Sequence, residues 1–323
     1  MKKTIIIRQK YSMNANPKSH SFFKMLQSKY ITINLEEKDI KKFINDYNNE
    51  NVTIIFYQNG YDGQYNFILN LIDIIKNSIM KACFIFFSFD YWIWENEKNY
   101  KLFNNLFKST NFKVFCNAYN INQLNKLHNF NYNKYEKNII FGNIWNCYES
   151  SFINFNTNPT YKLLVSGAVS KKNYPERYIF KKSDNKNICL YKYNYHDLKD
   201  NNNYNLTLNK YFCSFSSSVY VKIYNENTYV NTHCILLKTF EILSSGSLLV
   251  IPKSEENFIK KIGLEHNINC YLIDFNKNIN NQIDYIFNNI EFYDSVRLNG
   301  YKLANDKLND NIHNNKIIKL LEL

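Results

Sequence analysis

The chain has 323 residues, 45% hydrophobic and 17% aromatic, which excludes a disordered protein and leaves room for about two domains with real cores. Its 40 Lys and Arg against 28 Asp and Glu give a formal charge of +12; this admits an anionic partner, but no block of five basic residues concentrates the charge. Asn, Lys, Ile, Tyr and Phe dominate while Gly and Pro are scarce, the imprint of an AT-rich genome, so Lys and Asn counts carry little functional weight.

In chain order, Thr4 to Ile7 is too short for a signal-peptide core and suits a first buried strand. Ser21 to Lys29 spaces Phe22, Phe23 and Leu26 as a helix. Val52 to Tyr57 is a β-branched and aromatic run halted by Gln58-Asn59-Gly60, a strand and its turn. Tyr65 to Lys76 has helical spacing, Ala82 to Phe87 reads as a strand, Tyr100 to Phe107 as a helix and Lys113 to Cys116 as extended. Asn154 to Pro159 is polar and turn-prone, and a linker is placed there. Strands follow at Lys162 to Val165, Ile188 to Tyr191, Tyr211 to Phe215, Ser247 to Ile251 and Cys270 to Ile273. Asp200 to Asn205 reads as a low-complexity loop, and Ile283 to Asn289 and Ala304 to Leu321 read as helices. Strands alternating with helices predict an α/β protein of two Rossmann-like domains facing across a cleft. The expected division is 1–156, 157–303 and a C-terminal helix over 304–323.

The seven cysteines are odd in number and form no CxxC pair, which fits reduced thiols in a cytoplasmic protein. No HExxH and no DxD occurs, so neither a structural zinc nor a catalytic metal is expected. No run of about 18 apolar residues is present, so no transmembrane helix is expected.

Two segments carry candidate chemistry. In the first, Leu163 to Val169 with Tyr174-Pro175-Glu176-Arg177, Gly167 ends a strand where ligands bind in open α/β sheets. It is either an ordinary strand-to-loop glycine or one whose missing Cβ lets a diphosphate approach. Pro175 suits a first helical turn, so Arg177 is either solvated or completes an anion site at that helix start. In the second, Lys238 to Pro252, Leu236, Phe240 and Leu243 share one arc of a helix while Lys238, Glu241 and Ser245 share the other. Periodicity alone makes this a surface stripe with a Lys–Glu pair. Gly246 suits a left-handed helix cap, and Leu248 to Ile251 a strand covered on both faces. Ser216-Ser217-Ser218 is either a phosphate cradle or a loop.

The wording "KTFEILSSGSLLVIP" resembles the nucleotide-sugar-binding motif of GT-B glycosyltransferases, closest to the CgeB-like group. Gly167 and the "YPER" helix start look like the opening of the C-terminal domain in that group, and the likeness covers roughly the C-terminal half. The resemblance implies a metal-independent transfer of sugar from a UDP- or GDP-sugar to a glycan or protein-linked acceptor, with no cofactor beyond the donor substrate. It implies that Arg177 and Lys238 contact the diphosphate, that Glu241 accepts hydrogen bonds from the ribose, and that Gly167, Ser245 and Gly246 lie near the nucleotide. Many retaining relatives carry two glutamates eight positions apart; here the earlier position is His233, a catalytic candidate that also reads as a helix-start or core histidine. Asp90, flanked by Phe89, Tyr91 and Trp92, would suit an acceptor site or general base, or else is a helix N-cap. Two rivals stand beside this reading. One is a non-catalytic nucleotide- or glycan-binding protein on the same fold, motivated by His233. The other is a nucleic-acid binder, which the lack of a basic cluster disfavours.

Overall fold

Runs of Ile, Val, Leu and Phe that can be covered on both faces build two parallel sheets in the computed structural model. The structure describes residues 3–9, 31–35, 39–47, 52–58, 81–86, 112–116, 121–128, 131–141, 152–191, 201–223, 226–233, 235–309, 312, 315 and 319. The chain divides into two units: Met1–Ile144 with Val221–Thr232 and Asn314–Leu323, and Trp145–Tyr220 with His233–His313.

The first unit holds β1 (Lys3–Gln9), β2 (Ile31–Leu35), helix α1 (Ile40–Tyr47), β3 (Val52–Gln58), β4 (Lys81–Phe86), β5 (Phe112–Cys116), α2 (Ile121–His128) and β6 (Ile139–Phe141). Its strands pair in parallel in the order β2-β1-β3-β4-β5-β6. Four of the six match predicted strands; β2 and β6 are short and escaped the pattern. The predicted helices over 21–29, 65–76 and 100–107 lie outside the described residues.

The second unit is built on β7 (Thr160–Ser166), β8 (Ile188–Tyr191), β9 (Tyr211–Phe215), β12 (Leu248–Pro252) and β13 (Tyr271–Ile273), parallel and ordered β13-β12-β9-β7-β8. All five were predicted. The helices are α3 (Pro175–Lys182), α4 (Asn201–Asn209), α5 (Leu237–Ser244), α6 (Glu256–Ile259), α7 (Ile279–Asn288) and α8 (Ile290–Lys307). Strand β10 (Tyr220–Lys222) pairs with β11 (Tyr229–Asn231), and residues 221–232 belong to the first unit. One sheet face places Leu163, Val165, Phe215, Leu248 and Val250 against Phe180, Ile283, Ile286, Tyr293 and Val296 of the helices. Every residue of β12 is buried, as expected of a strand covered on both faces. Because β8 and β9 lie on opposite sides of β7, the strand order reverses at β7, and the carboxyl ends of β7 and β9 flank the switch point where such sheets bind ligands.

Three sequence expectations change. Asn201 to Asn205 begins a helix, not a loop: asparagine is a poor helix former, but α4 buries Tyr204 and Leu208 one turn apart, and that burial overrides propensity. Helix α8 runs from Ile290 to Lys307, so Ala304 lies in its final turn, and Ile312, Asn315 and Lys319, described beyond it, are also helical. Its buried stripe includes Arg297 and Gly300, which hid the period; a Cβ on Gly300 would come within 2.6 Å of the Asn269 carbonyl oxygen. Segment 154–159 is packed within the second unit: the Arg297 guanidinium donates to the Asn156 carbonyl, and Asn209 Nδ2 donates to the Asn154 carbonyl.

Candidate functional site

Strand β7 delivers the chain to Ser166, and the next residue turns sharply. Gly167 has φ +99°, a conformation L-residues rarely adopt, while its N–H is held by the Tyr191 carbonyl at 3.2 Å. After a short turn, Pro175 opens α3 at its first turn, as predicted, and Arg177 follows inside the helix. Lys238 stands in the first turn of α5.

These three residues, distant in sequence, converge. A Cβ on Gly167 would lie 3.0 Å from Lys238 Nζ and 3.1 Å from Arg177 Nη1, so any larger residue would crowd the two cations as well as strain the backbone. Lys238 Nζ donates to the Ser166 carbonyl at 2.5 Å, and Arg177 Nη1 donates to the Ala168 carbonyl at 3.3 Å. The guanidinium is 4.1 Å from the Tyr174 ring centroid, and its Nε is buried without a hydrogen-bond partner. Neither cation makes an ion pair among the described residues. Burial lowers the Arg177 pKa, and burial with the Arg177 charge holds Lys238 well below the usual lysine value. The surface stripe with a Lys–Glu pair is therefore corrected: residues 239 to 244 are all buried, and Lys238 reaches β7 rather than solvent.

A buried guanidinium and a half-buried ammonium this close together repel, an arrangement that an anion stabilises. The guanidinium and ammonium suit phosphate oxygens, and held in place they would stabilise charge developing on a leaving diphosphate. Beside them, Ser166 Oγ and the buried Tyr204 hydroxyl are 2.9 Å apart, and burial pushes the Tyr204 pKa up to about 12.

Glu241 lies one helical turn after Lys238, on the same face of α5, and is buried. Ser245 and Gly246 are at the other end of that helix, about 12 Å of rise from Lys238. Ser245 Oγ donates back to the Glu241 carbonyl at 2.7 Å. Gly246 has φ +68°, the left-handed stop read from the sequence. Its carbonyl accepts from Arg297 Nη1 at 3.0 Å, and an added Cβ would lie 2.9 Å from Phe155 Cδ2. The structure thus brings Gly167, Arg177 and Lys238 together, keeps Glu241 on their side of α5, and sets Ser245 and Gly246 apart. Asp90 lies outside the described residues.

His233 precedes α5 with φ +48°; its Nδ1 is 3.2 Å from Glu255 Oε2, and its ring stacks on Phe258 at 4.3 Å. Two residues of this edge, Glu176 and Glu255, escaped the sequence reading as site candidates in their own right, and Ser217, read as part of a phosphate cradle or a loop, lies there too. Glu176 is buried, accepts from the Tyr220 hydroxyl at 2.9 Å through Oε1, and leaves Oε2 buried without a partner. Burial, with a smaller contribution from the Glu255 charge, raises its pKa. Ser217, in the loop leaving β9, has a buried hydroxyl without a partner, while neighbouring Ser216 bonds Thr239 of α5 at 3.0 Å. The signal for Glu176 was its place in "YPER"; nothing in the sequence marks Glu255. Among the described residues no three His, Cys, Asp or Glu side chains gather as metal ligands, and no helix is long and apolar enough to cross a membrane.

No protein-family model and no curated protein matches the sequence. Solved structures do resemble the fold. Anabaena HepE, crystallised with UDP and glucose, is 8% identical, with 99% of each chain covered and a TM-score of 0.55. WaaG, a glycosyltransferase involved in lipopolysaccharide biosynthesis, is 6% identical over 98% of this chain and 99% of its own, at a TM-score of 0.49. At such identities the likeness concerns fold alone: α/β architecture on parallel sheets, in common with GT-B glycosyltransferases.

Proposed function

We propose that this protein is a glycosyltransferase that moves a sugar from a nucleoside-diphosphate sugar, UDP- or GDP-linked, to a glycan or protein-linked acceptor without a catalytic metal. The observation that carries the proposal is the pair of Arg177, buried, and Lys238, half-buried, packed over Gly167 at the carboxyl end of β7 with no carboxylate paired to either among the described residues. The likeness in fold to Anabaena HepE, crystallised with UDP and glucose, supports a nucleoside diphosphate as the anion.

In this reading the two cations grip the diphosphate and neutralise the charge it gains as the bond to the sugar breaks. Glu241 takes the ribose hydroxyls, Ser245 and Gly246 shape the end of the helix that carries it, and His233 serves the sugar side. Residues 157–303 hold the donor and residues 1–156 the acceptor, with Asp90 as an acceptor-side base. The setting is cytoplasmic.

The test is a thermal-shift screen against UDP, GDP, CMP, TDP, NAD and a short oligonucleotide, repeated with Glu241→Ala. A specific ligand raises the unfolding midpoint by mass action. A rise with one nucleoside diphosphate that the variant loses supports the donor site. Binding without turnover across donors and acceptors moves the assignment to the non-catalytic binder. A response to the oligonucleotide alone overturns the reading.

A further inference from the structure

We propose that Glu255 is a positioning residue that fixes the ring orientation and tautomer of His233 beside the donor site. This rests on reading the Arg177–Lys238 pair as that site.

The backbone gives the first reason. His233 adopts φ +48°, and a residue with a Cβ held there stores strain that its surroundings must offset. Two contacts do so. The ring lies parallel to Phe258, 4.3 Å between centroids and 8° between planes, and its Nδ1 is 3.2 Å from Glu255 Oε2. Glu255 is itself 2% exposed and sits in the 3-10 turn Lys253–Glu255 that leaves β12.

Location gives the second reason. Glu255 stands past the carboxyl end of β12, and its charge acts on Glu176, the chain neighbour of Arg177. The imidazole, the two carboxylates and the cation pair therefore share the ligand-binding edge of one sheet. The histidine side chain remains 32% exposed, whereas the carboxylate that holds it is not.

Chemistry gives the third. The Glu255 carboxylate accepts a hydrogen bond from an Nδ1–H, and in the tautomer this contact selects the ring acceptor is Nε2. An oriented imidazole acceptor matches a hydroxyl donor, which the sugar of a nucleotide-sugar supplies. Stacking sets the ring plane, and Glu255 sets which nitrogen faces which way. The proposal involves no covalent step on His233.

Imidazole nitrogen NMR on the full chain tests this, with the His233 signals among the six histidines identified from His233→Gln. The expected result is the Nδ1–H tautomer in the wild-type protein. In Glu255→Gln, with folding checked by the unfolding midpoint, kcat falls roughly ten- to a hundredfold, the range seen when a histidine's orienting partner is removed, while UDP affinity and donor KM hold. An Nε2–H ring in the wild-type protein overturns the proposal whatever the activity. So does a Glu255→Gln enzyme whose kcat is unchanged. Titration of the wild-type protein with UDP and GDP separates the two readings: binding of neither with an Nδ1–H ring sinks the donor site, whereas binding of either with an Nε2–H ring sinks only the role of Glu255.

Discussion

Replacing Lys238 by methionine tests whether the two cations exist for the fold or for a ligand. Lys238 Nζ and Arg177 Nη1 lie 3.0 and 3.1 Å from one point above Gly167, so they are at most about 6 Å apart. At an effective dielectric of about 20, two unit charges at about 6 Å repel by about 3 kcal/mol. Lys238→Met removes that repulsion and the desolvation of an ammonium. It also removes the bond to the Ser166 carbonyl, and orphaning a buried carbonyl costs about 1–3 kcal/mol. These effects offset, so stability without ligand should change by about 1 kcal/mol or less, roughly 2–4 °C in the unfolding midpoint. Binding has no such offset. Removing one of the two cations from a diphosphate should cost about 2–5 kcal/mol, or roughly 30- to several thousandfold in Kd. Calorimetric titration with UDP and GDP, beside thermal unfolding of the ligand-free variant, measures both. A loss of about 3 kcal/mol or more in stability with unchanged nucleotide affinity would make Lys238 a tether between α5 and β7, and the argument for an anion site would fail.

Three further outcomes follow from the same geometry. Because burial and Arg177 depress the Lys238 pKa, the folded, ligand-free amine is neutral between that lowered value and 10.5, where the unfolded chain still binds the proton. Lys238 therefore makes stability rise with pH across that window, and diphosphate binding there should take up a proton and weaken as pH rises; titration heats that do not vary with buffer ionisation enthalpy refute this. Gly167→Ala forces a side chain into φ +99° against both cations, and should lose about 1–3 kcal/mol of stability together with nucleotide binding; wild-type affinity in that variant counts against the site. Arg297→Met orphans the Gly246 and Asn156 carbonyls and strips the cation from the Phe155 ring 4.1 Å away, so a loss of about 3 kcal/mol or more is expected in denaturant unfolding, and a loss under about 1 kcal/mol contradicts the anchoring role.

The strands of the second unit were readable from the sequence because each is a short apolar run closed by turn residues, and burial on both faces leaves no other reading for Leu248 to Ile251. The left-handed stop at Gly246 and the helix start at Pro175 were equally local, since φ preference belongs to the residue itself. The helix over Asn201 to Asn209 and the early start of α8 were not local: burial of Tyr204, and packing of Gly300 against the Asn269 carbonyl, decide them. The site divides the same way. Sequence singled out Gly167, Arg177 and Lys238 separately, each with an ordinary explanation. Only the reversal of strand order at β7 brings them together, with Lys238 and Arg177 bonded to the carbonyls on either side of Gly167 and no carboxylate paired to either cation among the described residues. The link between His233 and Glu255 was invisible for a related reason. It joins residues on either side of β12, and no periodicity encodes a contact that exists only once the sheet has formed.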